Sequence, residues 1–256
     1  MNSLTSLFTA SLVLLFSAHI ATGAAPDLNS TAWVLSSLPG RSLVAGSSVT
    51  LRFEDGRVQG SDGCNRYTAP YTASDTTLQV GPTAASTQMA CAQPLMEQAE
   101  AFMRALVNAR AYRIQSGQLE LLGADGTMLA SHAPQPQALA GTSWRVTGYN
   151  NGREAVVSLI ADTNLTMAFS TDGKASGSAG CNHYIAPYTS EGPKLSFGAV
   201  ASTRRMCAQP EGVMDQEQQF LKALGTVASA RVEGDHLELR TASGQLAATL
   251  ARELNP

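Results

Sequence analysis

The side chains whose types could do chemistry are few. Four cysteines fall as Cys64 with Cys91 and Cys181 with Cys207, spaced 27 and 26 residues apart. Neither spacing is the Cys-x-x-Cys arrangement that depresses a thiol pKa, so redox catalysis is not the expected use. A structural zinc site needs about four ligands. His183 stands close to Cys181, but Arg66 holds the same place after Cys64, so neither a metal nor any other cofactor is expected. The histidines are His19, His132, His183 and His236. Nucleophilic catalysis needs a base within hydrogen-bond reach of Ser, Thr or Cys. Only His183 and His236 are placed to serve, both in the second half of the chain.

These positions acquire meaning once the chain is laid on itself. Gly63-Cys64-Asn65-Arg66-Tyr67-Thr68-Ala69-Pro70-Tyr71-Thr72 recurs as Gly180-Cys181-Asn182-His183-Tyr184-Ile185-Ala186-Pro187-Tyr188-Thr189, with eight identities in ten. Ala85-Ser86-Thr87 answers Ala201-Ser202-Thr203, and Cys91-Ala92-Gln93-Pro94 answers Cys207-Ala208-Gln209-Pro210, with an apparent one-residue slip between Thr and Cys. Thr31-Ala32-Trp33 matches Thr142-Ser143-Trp144, and Leu119-Glu120-Leu121 matches Leu237-Glu238-Leu239. The unit is therefore a domain of about 110 residues used twice. His132 to Ala138, with two prolines, reads as a short stiff linker. The expected division is a signal peptide at 1–24, one domain at 25–134 and a second at 135–256.

The elements that must position these residues follow from periodicity. Val49 to Phe53 and Leu165 to Phe169 alternate and lead into Asp-Gly turns, which predicts hairpins. Pro94 opens a helix with Leu95, Ala99, Phe102 and Leu106 on one face; Met214, Phe220 and Leu224 repeat most of it. Short strands meeting at Ser116-Gly117 and Asp125-Gly126 close each unit. The expected fold class is α+β: two similar domains, each a curved antiparallel β-sheet packed on one α-helix.

A secreted chain built by duplication most simply keeps one disulfide in each copy, Cys64–Cys91 and Cys181–Cys207; four buried thiols are the alternative. Asn65 and Asn182 suit side-chain bonds to nearby backbone in a turn or bulge. Tyr67, Tyr71, Tyr184 and Tyr188 are spaced by four, which on a strand puts each pair on one face, although Pro70 and Pro187 argue for an edge or bend. Core or rim packing and a binding surface for peptide or carbohydrate are the two readings of these four tyrosines, and ligand contact is the alternative for the two asparagines. Glu97 and Glu100 lie near the helix start, where acids complement the macrodipole, and read as solvent-facing.

The ends and the composition narrow the setting. Leu4 to Ile20 is apolar and uncharged, and Ala21-Thr22-Gly23-Ala24-Ala25 supplies small residues for cleavage, the layout of a secretory signal peptide. Its core is too short and interrupted for a stable membrane span. A net charge of −3, from 17 basic and 20 acidic side chains without a long run of either sign, gives no footprint for nucleic acid.

The blocks Gly-Cys-Asn-x-Tyr-x-x-Pro-Tyr, Ala-Ser-Thr, Met-Ala-Cys-Ala and Phe-Met/Leu-x-Ala-Leu resemble the META domain, the family of the bacterial heat-shock protein HslJ. The second copy departs where Thr203-Arg204-Arg205-Met206-Cys207 moves Met next to Cys. The resemblance implies a helix on a curved sheet, no catalytic residues, and a role in the bacterial envelope tied to stress or antibiotic tolerance; a protozoan member is tied to virulence. Many bacterial members are lipoproteins, but no Cys lies near the expected cleavage site here, which implies a periplasmic or secreted protein that is not lipid-anchored. The expected function is non-enzymatic binding of an unidentified protein or peptide. A protease inhibitor, or a hydrolase or redox activity confined to the second domain, is the alternative.

Overall fold

The computed structural model describes residues 27–81, 84–153 and 155–253; the expected signal peptide lies outside the described residues. The first copy runs β1 (Thr31–Ser37), β2 (Thr50–Glu54), β3 (Arg57–Ser61), β4 (Arg66–Ser74), β5 (Thr77–Val80), β6 (Ala85–Ser86), α1 (Gln93–Asn108), β7 (Ala111–Gln115), β8 (Gln118–Leu122) and β9 (Met128–Pro134). The second runs β10 (Thr142–Asn150), β11 (Val156–Val157), β12 (Thr166–Phe169), β13 (Lys174–Ser178), β14 (His183–Glu191), β15 (Lys194–Phe197), β16 (Ala201–Ser202), α2 (Val213–Leu224), β17 (Val227–Glu233), β18 (His236–Thr241) and β19 (Leu246–Arg252).

Each copy is mostly sheet with one long helix, and all described pairings are antiparallel. The sheets are more than curved. β1 pairs with both β2 and β9, and β3 pairs with β4, so β1-β2-β3-β4-β5-β7-β8-β9 forms a closed ring, with β6 added outside on β4. In the second copy β10 pairs with both β12 and β19, closing the same ring. Alternation sends Leu51, Phe53, Val58, Leu119 and Leu121 inward, and Met167, Phe169, Leu237 and Leu239 in the partner ring. Closure also removes the long free strand edges on which recognition of an extended peptide by strand addition would depend.

One face of each helix packs against the core that its ring encloses. Phe102 of α1 is fully buried, its ring 5.7 Å from Tyr67 and 6.0 Å from His132. Phe220 of α2 lies 5.8 Å from Tyr184 and 6.4 Å from Tyr149. Pro94 occupies the first turn of α1, where its missing N–H costs nothing. α2 instead begins three residues after Pro210, at Val213.

A buried glutamine on each helix fixes the long loop after the first strand. Gln98 accepts from the Val44 N–H at 2.7 Å and donates to Ser47 Oγ at 2.9 Å. Gln216 accepts from the Ile160 N–H at 2.7 Å and donates to Thr163 Oγ1 at 3.1 Å.

Two expectations about the chain path are corrected. His132 is not in a linker: it sits in β9 opposite Leu35 and Leu119 and is fully buried. Pro70 does not mark a sheet edge, because β4 is an interior strand. It falls where β4 changes partner, from β6 at Tyr67 and Thr68 to β5 from Tyr71 onward. A strand changing neighbours has no continuous ladder to donate to at that residue, so a proline is tolerated there.

Candidate functional site: the disulfide-clipped turn

The shared Gly-Cys-Asn block is a turn between β3 and β4 in the first copy and between β13 and β14 in the second, rather than part of a strand. Gly63 and Gly180 take φ of 96° and 111°, a region that disfavours any side chain. The turn is clipped to the segment before the helix. Cys64 is bonded to Cys91 and Cys181 to Cys207, and no free cysteine occurs among the described residues.

Asn65 tightens the clip, its Oδ1 accepting from Thr87 Oγ1 at 2.9 Å and from the Met89 N–H at 2.7 Å. Asn182 Oδ1 accepts from Thr203 Oγ1 and the Arg205 N–H, both at 2.7 Å, and its Nδ2 donates to the Arg205 carbonyl. These bonds reach a segment distant in sequence rather than the asparagine's own turn. Arg205 thus stands where Met89 does and Met206 where Ala90 does, so the chain has no slip between Thr and Cys.

The carboxylate that completes the turn comes from different places. In the first copy Asp62, buried, accepts from the Cys64 N–H at 2.8 Å and the Asn65 N–H at 2.6 Å. In the second, Ala179 takes the place of Asp62, and Glu217 on α2 accepts from the Asn182 N–H at 2.7 Å and from its Nδ2 at 2.8 Å. Ala99 on α1 stands where Glu217 does. Pairwise matching of the copies conceals this exchange, because neither acid has an acidic counterpart.

The tyrosines divide into two kinds. Tyr67 and Tyr184 are buried, and their hydroxyls donate to the carbonyls of Thr50 and Thr166 at 2.8 and 2.9 Å. Burial raises both phenol pKa values well above the ordinary one, so both stay protonated. Tyr71 and Tyr188 are half-buried and stand edge-on to Phe53 and Phe169 at 4.8 and 5.0 Å. His183 and His236 are exposed on β14 and β18, which β15 and β17 separate in the ring. Among the described residues no three His, Cys, Asp or Glu side chains come together as a metal site would require, and no helix is long and apolar enough to cross a membrane.

The clip leaves methionines in solvent, next to the exposed Gln88 in the first copy and Arg204 and Arg205 in the second. Met89, two residues before Cys91, is 58% exposed; Met206, next to Cys207, is 86% exposed; and Met96 in the first turn of α1 is 44% exposed. The asparagine holds the backbone at Met89 in the first copy and at Arg205, next to Met206, in the second, and the disulfide closes each segment.

Two antiparallel rings in tandem, each packed by one helix and carrying one disulfide-clipped turn, define the class. The META domain model matches residues 26–135 and again 137–253, and the chain belongs to the META domain family. A search of curated proteins found no match. Among solved structures, an NMR structure of a protein from Burkholderia xenovorans is 27% identical, covering 48% of this chain and 93% of that one, with a TM-score of 0.39. A second NMR structure is 23% identical over 46% of this chain and 93% of its own, with a TM-score of 0.36. The crystal structure of a duf4847 family protein from Bacteroides vulgatus is 14% identical over 47% and 98%, with a TM-score of 0.34.

Proposed function

We propose that the chain is an exported, non-enzymatic module of the bacterial envelope that binds a protein or peptide, in the setting of stress or antibiotic tolerance. The observation that carries this reading is the clipped segment: in both copies a rigid backbone presents exposed methionine beside the disulfide. Methionine is adaptable and apolar, and a pre-ordered backbone lowers the entropic cost of binding. The polar residues common to both copies, Asn65 and Asn182, Tyr67 and Tyr184, and Gln98 and Gln216, are engaged in holding the fold. Export is supported by the two disulfides, which persist in oxidising compartments.

Immobilised chain should retain a partner from periplasmic extract, and the double variant Met89→Ser, Met206→Ser should lose it. Equal retention by the variant would remove the clipped segment from the reading. Turnover of a substrate that depends on His183 or His236 would replace binding with an enzymatic role in the second domain. A second reading, protease inhibition, is favoured by the same geometry, since a disulfide-held exposed segment resists the distortion that cleavage requires. Inhibition assays against secreted proteases distinguish it from general binding.

A further inference from the structure

The turn between β17 and β18 of the second domain is seated on a face of the first formed by Ser48, Thr50 and Arg66. Glu233, at the end of β17, accepts from Arg66 Nη2 at 2.8 Å and from Thr50 Oγ1 at 3.1 Å. The next residue, Gly234, donates its N–H to Gln135 Oε1 at 2.7 Å. A Cβ on Gly234 would lie 2.1 Å from Ser48 Oγ and 2.8 Å from Ser48 Cβ, so only glycine fits, and its φ of 60° favours glycine independently. Just before the turn, Gln137 Nε2 reaches the Val232 carbonyl at 3.2 Å. Thr50, Gln135 and Glu233 are buried as a result.

This contact is head-to-tail: the face belongs to one copy and the turn to the other. Each copy contains both parts, so one face and one turn are left over. A head-to-tail contact that does not close on itself propagates from molecule to molecule. The unused turn is Gln115-Ser116, which is exposed, and the unused face is Asn164, Thr166 and His183, of which Asn164 and His183 are exposed. The backbone ladders fix these correspondences: Thr166 Oγ1 accepts from Ser178 N–H as Thr50 Oγ1 does from Ser61 N–H, and Glu253 N–H bonds to Ser143 as Gln135 N–H does to Ala32.

We infer that the face of the first domain is a recognition surface for a Glu-Gly β-turn, and that five differences between the copies confine this recognition to a single event within one chain. Gln115 lacks the charge of Glu233. Ser116 carries the Cβ that Gly234 lacks. Asn164 is bulkier than Ser48 at the point of closest approach. His183 has a shorter reach than Arg66 and lacks its planar fork of donors. Glu253 puts a carboxylate where Gln135 offers an uncharged amide, which repels an acidic turn. Three of these alter charge or donor reach and two fill the space that close approach needs. The fit is to a second copy of this chain, and the differences withhold it.

Two half-variants test this. One chain carries Gln115→Glu and Ser116→Gly; the other carries Asn164→Ser, His183→Arg and Glu253→Gln. Each should sediment as wild type does, and an equimolar mixture should form a one-to-one complex of twice the mass. Absence of that complex, with both chains giving the wild-type far-UV spectrum, overturns the inference, as does wild-type chain that already assembles end to end. Should either half-variant fail to fold, Gly234→Ser in the otherwise native chain decides. The domains should separate, seen as a larger radius of gyration in solution scattering, and an unchanged radius overturns the inference.

Discussion

Arg66 and Glu233 form an ion pair at 2.8 Å although 167 residues separate them and they belong to different copies of one domain. Glu233 is nearly buried while Arg66 is half-exposed, and the Arg231 guanidinium stands 3.6 Å from the same carboxylate. Burial alone would raise the Glu233 pKa. The bond and charge of Arg66, with Arg231 and the Thr50 hydroxyl, outweigh it and hold the carboxyl below its ordinary value. A depressed carboxyl contributes stability that is complete above its unfolded pKa, near 4.5, and is lost as pH falls through the lower folded value. Glu233→Gln should therefore loosen the domain contact by about 2 kcal/mol at neutral pH, between the values for exposed and buried pairs. Denaturant unfolding at pH 7 and pH 3.5 checks this, with the difference between wild type and variant shrinking at the lower pH.

Much of this molecule was legible from side-chain types alone. The duplication, the disulfide partners, the hairpins at Asp-Gly and the helix bearing Phe102 each rest on a local pattern. Ring closure was not legible, because nothing in β1 states that it pairs on both sides with strands far apart in sequence. The contact between copies was hidden for a related reason: Arg66 and Glu233 each differ from their counterparts, so comparing copies marks them as noise. The asparagines stand out by type, but their partners lie over twenty residues away, beyond the reach of turn propensities. Gln98 and Gln216 leave a readable sign, since a glutamine shared by the inner faces of two helices points to a buried amide.

His132 brings a polar ring into the first core where the second core has an apolar side chain. It is fully buried in β9, neither ring nitrogen has a side-chain hydrogen-bond partner, and Leu250 holds the same place in β19. Burial lowers its pKa from 6.5 to about 4, with only the Leu119 backbone opposing the shift. The folded state therefore resists a proton that the unfolded chain accepts, so stability is full above pH 6.5 and falls as pH drops toward 4. The whole loss amounts to about 3 kcal/mol. His132→Leu should abolish that slope and raise stability at pH 7 by about 1–3 kcal/mol, by removing an unsatisfied polar group. Thermal unfolding between pH 7.5 and 4.5 measures both effects; a variant with the wild-type slope would assign the acid sensitivity elsewhere.

The disulfides and the asparagine bonds hold the same segment, so their contributions are separable. Replacing Cys64 and Cys91 by serine opens a loop spanning 27 residues and should cost about 3–4 kcal/mol, mostly by freeing the unfolded chain. Asn65→Ala acts on the folded state instead, leaving the Met89 N–H without its acceptor. It should cost about 1–2 kcal/mol. In the reduced protein the asparagine is the remaining tie, so the two losses together should exceed their sum. Guanidinium unfolding of the single and combined variants gives the coupling directly, and simple additivity would show that the bonds act on separate parts of the clip.

The exchanged carboxylates supply the sharpest test of how the turn is built. Asp62 reaches the Cys64 and Asn65 amides from within its own turn, while Glu217 reaches Asn182 from the helix. A buried N–H deprived of its acceptor costs about 1–3 kcal/mol, so Asp62→Ala should destabilise the first domain by at least that amount. Ala99 is buried and holds the same helical place as Glu217, so Ala99→Glu should bring a carboxylate to the vacated amides. Introduced alone, Ala99→Glu buries a second acid beside Asp62 and should destabilise, because two close carboxylates cannot both ionise cheaply. The pair together should recover most of the stability that either change loses. The reciprocal pair, Glu217→Ala with Ala179→Asp, should behave alike in the second domain. Chemical denaturation of the four single variants and two pairs reads the coupling energies, and the absence of rescue in both domains would mean that the turn is held by the disulfide and the asparagine without either acid.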